Sequence, residues 1–299
     1  MPSLDPALLQ WAVRAAAPGA DVTEVRGLRD GGSPWLVRLS RAGSQRSVVL
    51  RVGTDPSPLH TEVAALRLAA EHDLPAPRLL AAELADDPPV VLVEQLPGSS
   101  AIPRERPSAR LRTLGRTAAT LHAIPLAPTP ALPRRDRPIG SVDFAALRRQ
   151  HPPQPLLQEA EQRVADAPPP RADAFVHGDL WQGNALWTGD TLNGLIDWDC
   201  AGSGHPGIDL GSLRCDAAIC FGPDAATDIQ QGWEEVTARP ATDVAYWDVV
   251  AALSTPPDMG WFPSAIAGQG RPDLTQEVLL RRRDEFLNAA LTRLDAPGG

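Results

Sequence analysis

Lysine is absent: all 28 basic side chains in the 299 residues are arginine. With 32 prolines and many Ala–Arg pairs, this points to a GC-rich coding sequence, a compositional effect and not a functional one. Cysteine is scarce. Cys200, Cys215 and Cys220 make an odd count with no Cys-x-x-Cys pair, which argues against a disulfide framework or a cysteine-built zinc site. No apolar run approaches the roughly 18–20 residues of a membrane span. The start M-P-S-L-D-P-A-L-L-Q-W lacks a basic stretch followed by an apolar one, so it does not read as a signal peptide. Cationic excess is also missing. The net charge is −9 with pI about 5.2, the wrong sign for a general nucleic-acid binder. The expectation is a cytoplasmic protein with reduced thiols, no membrane partner and no nucleic-acid partner.

What is present is an ordinary globular balance, 43% hydrophobic and 22% charged, with length for one large domain or two lobes. Leu4–Ala17 has helical apolar spacing and stops at Pro18-Gly19. Strand patterns follow at Val22–Leu28, Trp35–Leu39 and Ser47–Val52, separated by turn sequences. Leu59–His72 reads as a helix with Val63, Leu66 and Ala70 on one face, and Arg78–Glu83 and Val90–Gln95 read as two more strands. Beyond Leu96-Pro97-Gly98 the patterns turn helical, at Arg110–Ile124, between Pro152-Pro153 and Pro168-Pro169-Pro170, and at Leu274–Leu294, with one strand expected over Leu195–Trp198. Segregated strands and helices predict an α+β fold rather than a doubly wound sheet. The division expected is 1–97, a five-stranded antiparallel sheet plus helix, and 98–299, mostly helical.

One stretch concentrates polar chemistry between two apolar runs: F-V-H-G-D-L-W-Q-G-N-A-L-W, Phe175 to Trp187. Asp179 and Asn184 have four residues between them, the spacing of the protein-kinase catalytic loop, where an Asp accepts the substrate hydroxyl proton and an Asn binds magnesium. Asp197 follows at the end of the apolar run Gly194-Leu195-Ile196. A hard Mg²⁺ ion takes oxygen ligands from one or two carboxylates, phosphates and water. Asn184 offers a neutral oxygen and Asp197 a charged one.

H-G-D-L-x-x-G-N-x-L at 177–186, I-D-W-D at 196–199 and G-H-P-G-I-D-L at 204–210 together resemble the aminoglycoside phosphotransferase family, small-molecule kinases with a protein-kinase-like, bilobal fold. The resemblance spans roughly Val22 to Leu253. It implies Asp179 as the catalytic residue, Asn184 and Asp197 as magnesium ligands, His177 as a buttress of the loop and Asp209 as its brace from the following helix. It also implies ATP or GTP and Mg²⁺ as cofactors, and a hydroxyl-bearing small molecule as acceptor. In the N-terminal half, Gly31, Gly32 and Ser33 are placed to cover nucleotide phosphates, because glycine lets backbone N–H groups approach closely. Arg51 stands where protein kinases have Lys, with Glu62 placed to pair with it. Val93-Glu94-Gln95-Leu96 resembles the hinge that holds adenine, with Glu94 and Leu96 as its contacts. Trp198-Asp199 replaces the kinase Phe-Gly, which favours the small-molecule branch.

Each element alone has a plainer reading: a hairpin turn at Gly31–Ser33, a solvated Glu62, a helix-start cap at Asp209, packing for Trp181, Trp187 and Trp198, a buried thiol at Cys200 and a turn residue at His205. Asp199 adds charge at the metal or serves structure. Order and spacing of the whole set favour the kinase reading. From Asp197 to Ala238 eight acids face one Arg, a balance of −7. This stretch is either a solvated surface or an electronegative cleft that draws a cationic, aminoglycoside-like acceptor. Pro256–Phe262 reads as an apolar loop that walls the substrate or packs the lobe. The alternatives are a nucleotide-binding pseudokinase, a kinase of a choline-, sugar- or homoserine-like metabolite, and a metallohydrolase built on His177, Asp179 and His205.

Overall fold

Two capped helices and five β-rich segments begin the chain. In the computed structural model, which describes residues 3–29, 32–166 and 171–295, α1 spans Pro6–Ala16, β1 Asp21–Arg29, β2 Gly32–Arg41, β3 Ser44–Val52, α2 Pro56–Glu71, β4 Leu79–Glu83 and β5 Val90–Glu94. Each helix starts on an Asp–Pro pair. Asp5 and Asp55 accept the amides of Ala7 and Ser57, and the proline that follows needs no partner for its missing N–H. The strands form one antiparallel sheet in the order β1-β2-β3-β5-β4. Period-two alternation sends Trp35, Val37, Leu39, Val48, Leu50, Val90 and Leu92 to the face where Ala12 and Ala16 of α1 pack. Helix α2 packs on β4 and β5 and buries Leu59, Val63 and Leu66. Fully burying each such side chain is worth about 1.5–3 kcal/mol.

The remaining elements are α3 (Ser108–His122), α4 (Phe144–Arg149), α5 (Pro155–Asp166), β6 (Ala174–Val176), β7 (Ala185–Thr188), β8 (Thr191–Leu195), β9 (Gly202–Gly204), α6 (Gly207–Phe221), α7 (Ala225–Thr237), α8 (Val244–Leu253), α9 (Phe262–Gly268) and α10 (Gln276–Leu294). Helix α6 is buried along most of its length and packs against α3, α7, α8 and α10. Its one buried cation, Arg214, is satisfied by a two-pronged ion pair with Asp248 of α8, both bonds at 2.9 Å, and by Ala226 and Gln230 of α7. Short antiparallel pairing of β6 with β9 fixes the start of the Phe175–Trp187 stretch.

The chain divides into two units, Met1–Pro97 with Asn193–Asp199, and Gly98–Leu192 with Cys200–Gly299. The first is the α+β half and the second the helical half, the fold class expected from the sequence. The strand expected over 195–198 instead occupies Thr191–Leu195, so the chain passes between units within β8. The physical reason lies at Asp197, whose φ of +68° is left-handed and cannot continue a strand. Among the described residues no helix is long and apolar enough to cross a membrane.

Candidate active site

In the helical unit, α6 organises the Phe175–Trp187 stretch. Asp209, in the first turn of α6, is fully buried and accepts the backbone N–H of His177 and of Gly178, both at 2.8 Å. His122 at the end of α3 reaches the same carboxylate through Nε2 at 3.1 Å, while Trp233 Nε1–H donates to His122 Nδ1 at 3.1 Å. That indole bond occupies Nδ1 and leaves Nε2 to donate to Asp209. Burial works against the charge on Asp209, but the bonds from His122 and the His177 amide hold it below the usual carboxylate range. Gly178 takes φ +79°, and a Cβ there would lie 2.1 Å from the Cys200 carbonyl oxygen, so the turn between His177 and Asp179 demands glycine.

Past this turn, Asn184 ends a single 3₁₀ turn, Gln182–Asn184, and its Nδ2 donates back to the Asp179 carbonyl at 2.9 Å and to Asp179 Oδ2 at 3.3 Å. The amide nitrogen is thus spent within the loop, which turns the carbonyl oxygen the other way. His177 is wholly buried, and its Nδ1 lies 3.4 Å from the Asp179 amide.

In the sheet unit, Arg51 near the end of β3 gathers three carboxylates: Nη1 bonds Glu62 of α2 at 2.9 Å and Asp197 at 2.8 Å, and Nη2 bonds Asp199 at 3.0 Å. Burial opposes the charge on Arg51, yet the three carboxylates outweigh it and hold the guanidinium above its ordinary pKa. The same crowding leaves the acids short of positive charge. Burial pushes Glu62 up to about 7 despite Arg51, and its Oε2 has no hydrogen-bond partner. Asp199 therefore joins the Arg51 cluster. The left-handed backbone at Asp197 is the kind of sparsely populated conformation that concentrates at functional sites.

The other sequence-derived positions divide unevenly. Gly31 lies outside the described residues, and Gly32 opens β2. The Ser33 hydroxyl staples β2 to β3, donating to the Val52 carbonyl at 3.1 Å and accepting its amide at 3.0 Å, so any hold on phosphate there falls to the backbone. Glu94 forms an ion pair with Arg78 through its side chain, and the amides of Glu94 and Gln95 donate to Arg78 and Ser47 carbonyls. Leu96 provides the next amide along. It packs over Gly194, where a Cβ would lie 2.7 Å from Leu96 Cδ1. His205 stacks on Trp247 at 4.8 Å and accepts the Gly207 amide, and burial lowers it to about 4. It serves the start of α6. Among the described residues no group of three or more His, Cys, Asp or Glu side chains is arranged to hold a metal ion.

The sequence reading missed His122, Trp233 and Asp216. Asp216 lies seven residues after Asp209, two turns along the same face of α6, which is the signal that could have found it. It accepts both the backbone amide and the side-chain amide of Gln182, at 3.2 and 2.7 Å. It shares with Asp179, Trp181, Trp261 and Phe262 the lining of a cavity of about 170 Å³ within the helical unit. The stretch expected as a loop, Pro256–Phe262, is one up to Trp261, with α9 beginning at Phe262, and its end walls a cavity. The acidic run between 197 and 238 is mostly spoken for: Asp197 and Asp199 bond Arg51, Asp209 the loop, Asp228 Arg106 and Arg112, and Glu235 Arg116.

Taken each in its own unit, Asn184 carries a carbonyl oxygen and Asp197 a carboxylate, the hard donor types that magnesium takes. Residues 24–252 match the model of the phosphotransferase enzyme family. Curated proteins gave no match. Among solved structures, the fold is similar to the macrolide 2'-phosphotransferase MphH from Brachybacterium faecium (18% identity, 92% of this chain and 97% of that one, TM-score 0.61). It is also similar to the spectinomycin phosphotransferase APH(9)-Ia in complex with AMP (11%, 97% and 99%, TM-score 0.62). A third likeness is to a thermostable mutant of aminoglycoside phosphotransferase APH(4)-Ia in ternary complex with AMP-PNP and hygromycin B (16%, 92% and 98%, TM-score 0.57). A family match over most of the chain, joined to the pinned Asp179–Asn184 loop, settles the class: the chain belongs to the phosphotransferase enzyme family.

Proposed function

We propose that the protein moves the terminal phosphoryl group of ATP or GTP to a hydroxyl of a small, antibiotic-like molecule. The observation that carries this reading is that Asp179 stands on a loop pinned by Asp209 and lines a cavity of the helical unit. Asp179 orients the acceptor hydroxyl and takes its proton as the new oxygen–phosphorus bond forms and the bridging bond to the nucleoside diphosphate breaks. In a loose phosphoryl-transfer transition state, positioning and electrostatics matter more than base strength. Asn184 and Asp197 would hold Mg²⁺, which supplies charge neutralisation on the phosphates. Arg51, kept in place by Glu62, presents its guanidinium to phosphate oxygens, and Glu94–Leu96 offers backbone groups to the purine. Solved relatives of the fold named for macrolides and spectinomycin, and one bound to hygromycin B, support an antibiotic-like acceptor.

Asp179→Asn is expected to lower transfer by about 10²–10⁴-fold, the usual worth of a positioned general base, with nucleotide affinity within about twofold of wild type. Mass detection of phosphorylated product across a panel of hydroxylated amines, alongside nucleotide binding by calorimetry, is the measurement. Wild-type turnover in the Asn variant, or nucleotide binding with no transfer to any acceptor by the native chain, sinks the reading.

A further inference from the structure

The cavity beside Asp179 has a composition that restricts what enters it. Its walls come from α6, α8 and α9 and from Trp181 and Ile139, and its aromatic side is Trp261 and Phe262. Two of its three hydroxyls are turned inward: Ser254 Oγ donates to the Val250 carbonyl and Thr255 Oγ1 to the Ala252 carbonyl. Its lining holds two carboxylates, Asp179 and Asp216, and no basic side chain. Asp216 is served by neutral groups alone. Its Oδ2 takes both Gln182 bonds, and its Oδ1 has the Cys220 thiol at 3.7 Å, a weak donor. Burial pushes its carboxyl up to about 6, the sign of a charge not yet compensated. A carboxylate buried without a cation is costly, and a ligand ammonium entering such a wall relieves that cost once. With Asp179 given to the acceptor hydroxyl, every further ammonium would be desolvated against Ile139, Phe262 or Trp261 without a carboxylate of its own.

We propose, on the phosphotransfer reading above, that the acceptor is an alcohol with one apolar face and a single ammonium group, and that Asp216 recognises the ammonium while Asp179 takes the hydroxyl. The acceptor class is then a lipophilic monoamino alcohol and not a polycation. The charge of the 197–238 stretch is no argument for a polycation, because most of those acids already have partners elsewhere.

The test reads binding without nucleotide, so it stands apart from transfer. Trp181 and Trp261 line the cavity, and intrinsic fluorescence reports its occupancy. With the full chain, 2-(dimethylamino)-1-phenylethanol is expected to bind about tenfold tighter than its neutral parent 1-phenylethanol, the range of a charge-assisted hydrogen bond. Kanamycin, a polycation, is expected to bind no tighter than 1-phenylethanol. Asp216→Asn, checked for a native melt, erases the tenfold preference, and Asp216→Glu restores part of it. Trp261→Ala weakens both phenyl probes by the same factor. Kanamycin binding more tightly than the monoamine overturns the proposal, as does a preference that survives in Asp216→Asn. If the Asn variant does not fold, the wild-type ranking of the three probes decides alone. Absence of phosphoryl transfer with the ranking intact counts against the phosphotransfer reading and leaves the cavity's selectivity standing.

Discussion

Asp209 and Asp216 sit two turns apart on one helix, and their surroundings treat them in opposite ways. Asp209 receives two backbone amides and a histidine N–H at the positive end of α6, and its carboxyl is held below the usual range. Asp216, in mid-helix, receives one glutamine and a thiol, and burial raises it to about 6. The difference separates a structural carboxylate from a receptive one. The first is saturated by the chain itself and fixes a loop, whereas the second keeps bonding capacity toward a cavity.

The largest test of this contrast is Asp209→Ala. It strands two buried amides and the His122 N–H, and is expected to cost about 3–5 kcal/mol of stability with loss of transfer, read by denaturant unfolding. Asp216→Ala should cost far less. Gly178→Ala comes next: a Cβ against the Cys200 carbonyl and a left-handed φ are expected to cost about 2–3 kcal/mol. An unchanged melting temperature would show that Asp209 does not need this turn to hold the loop.

The pH dependence sharpens the comparison further. For Asp216 the folded-state pKa, about 6, lies above the ordinary value near 3.9, so its contribution to stability is fully present below about pH 4 and is lost as pH rises through 6. The groups around it are Asp179 across the cavity, Gln182, Cys215 and Cys220. The stability difference between the wild type and Asp216→Asn is expected to change by about 1–2 kcal/mol over this window. Asp209 runs the other way: with its carboxyl lowered, stability from it is lost only as pH falls below the ordinary carboxylate range. A flat difference curve for Asp216 would erase the distinction between the two acids. The smallest effect belongs to Trp233→Phe, which removes the indole bond that sets the His122 tautomer and is expected to cost about 1 kcal/mol.

Much of this was legible from residues alone. The five strands and the first two helices announced themselves through period and punctuation, as in the Pro18-Gly19 stop after α1 and the apolar run at Trp35–Leu39, although the Asp–Pro start of α2 lies three residues ahead of the Leu59 expected. The spacing of Asp179 and Asn184 marked the loop because short-range geometry fixes it. Long-range choices left no local trace. Nothing near His122 says that it will meet a carboxylate 87 positions later, and Ser33, apt for phosphate by type, is spent on Val52. Asp197 looked like a strand end because apolar runs signal strands, but its left-handed backbone ends the strand two residues earlier. Asp216 lay hidden inside a charged stretch whose sum suggested a cleft, although pairing had already consumed most of it.

The Arg51 cluster has a practical consequence. Reagents that tag nucleotide sites by acylating a primary amine depend on an ε-amino group beside the phosphates. A guanidinium engaged by three carboxylates is not such a nucleophile, and the chain carries no lysine to take its place. On the proposed nucleotide reading, acyl-phosphate nucleotide probes would dock and depart without marking this protein, and a covalent survey of ATP users built on that chemistry would pass over it.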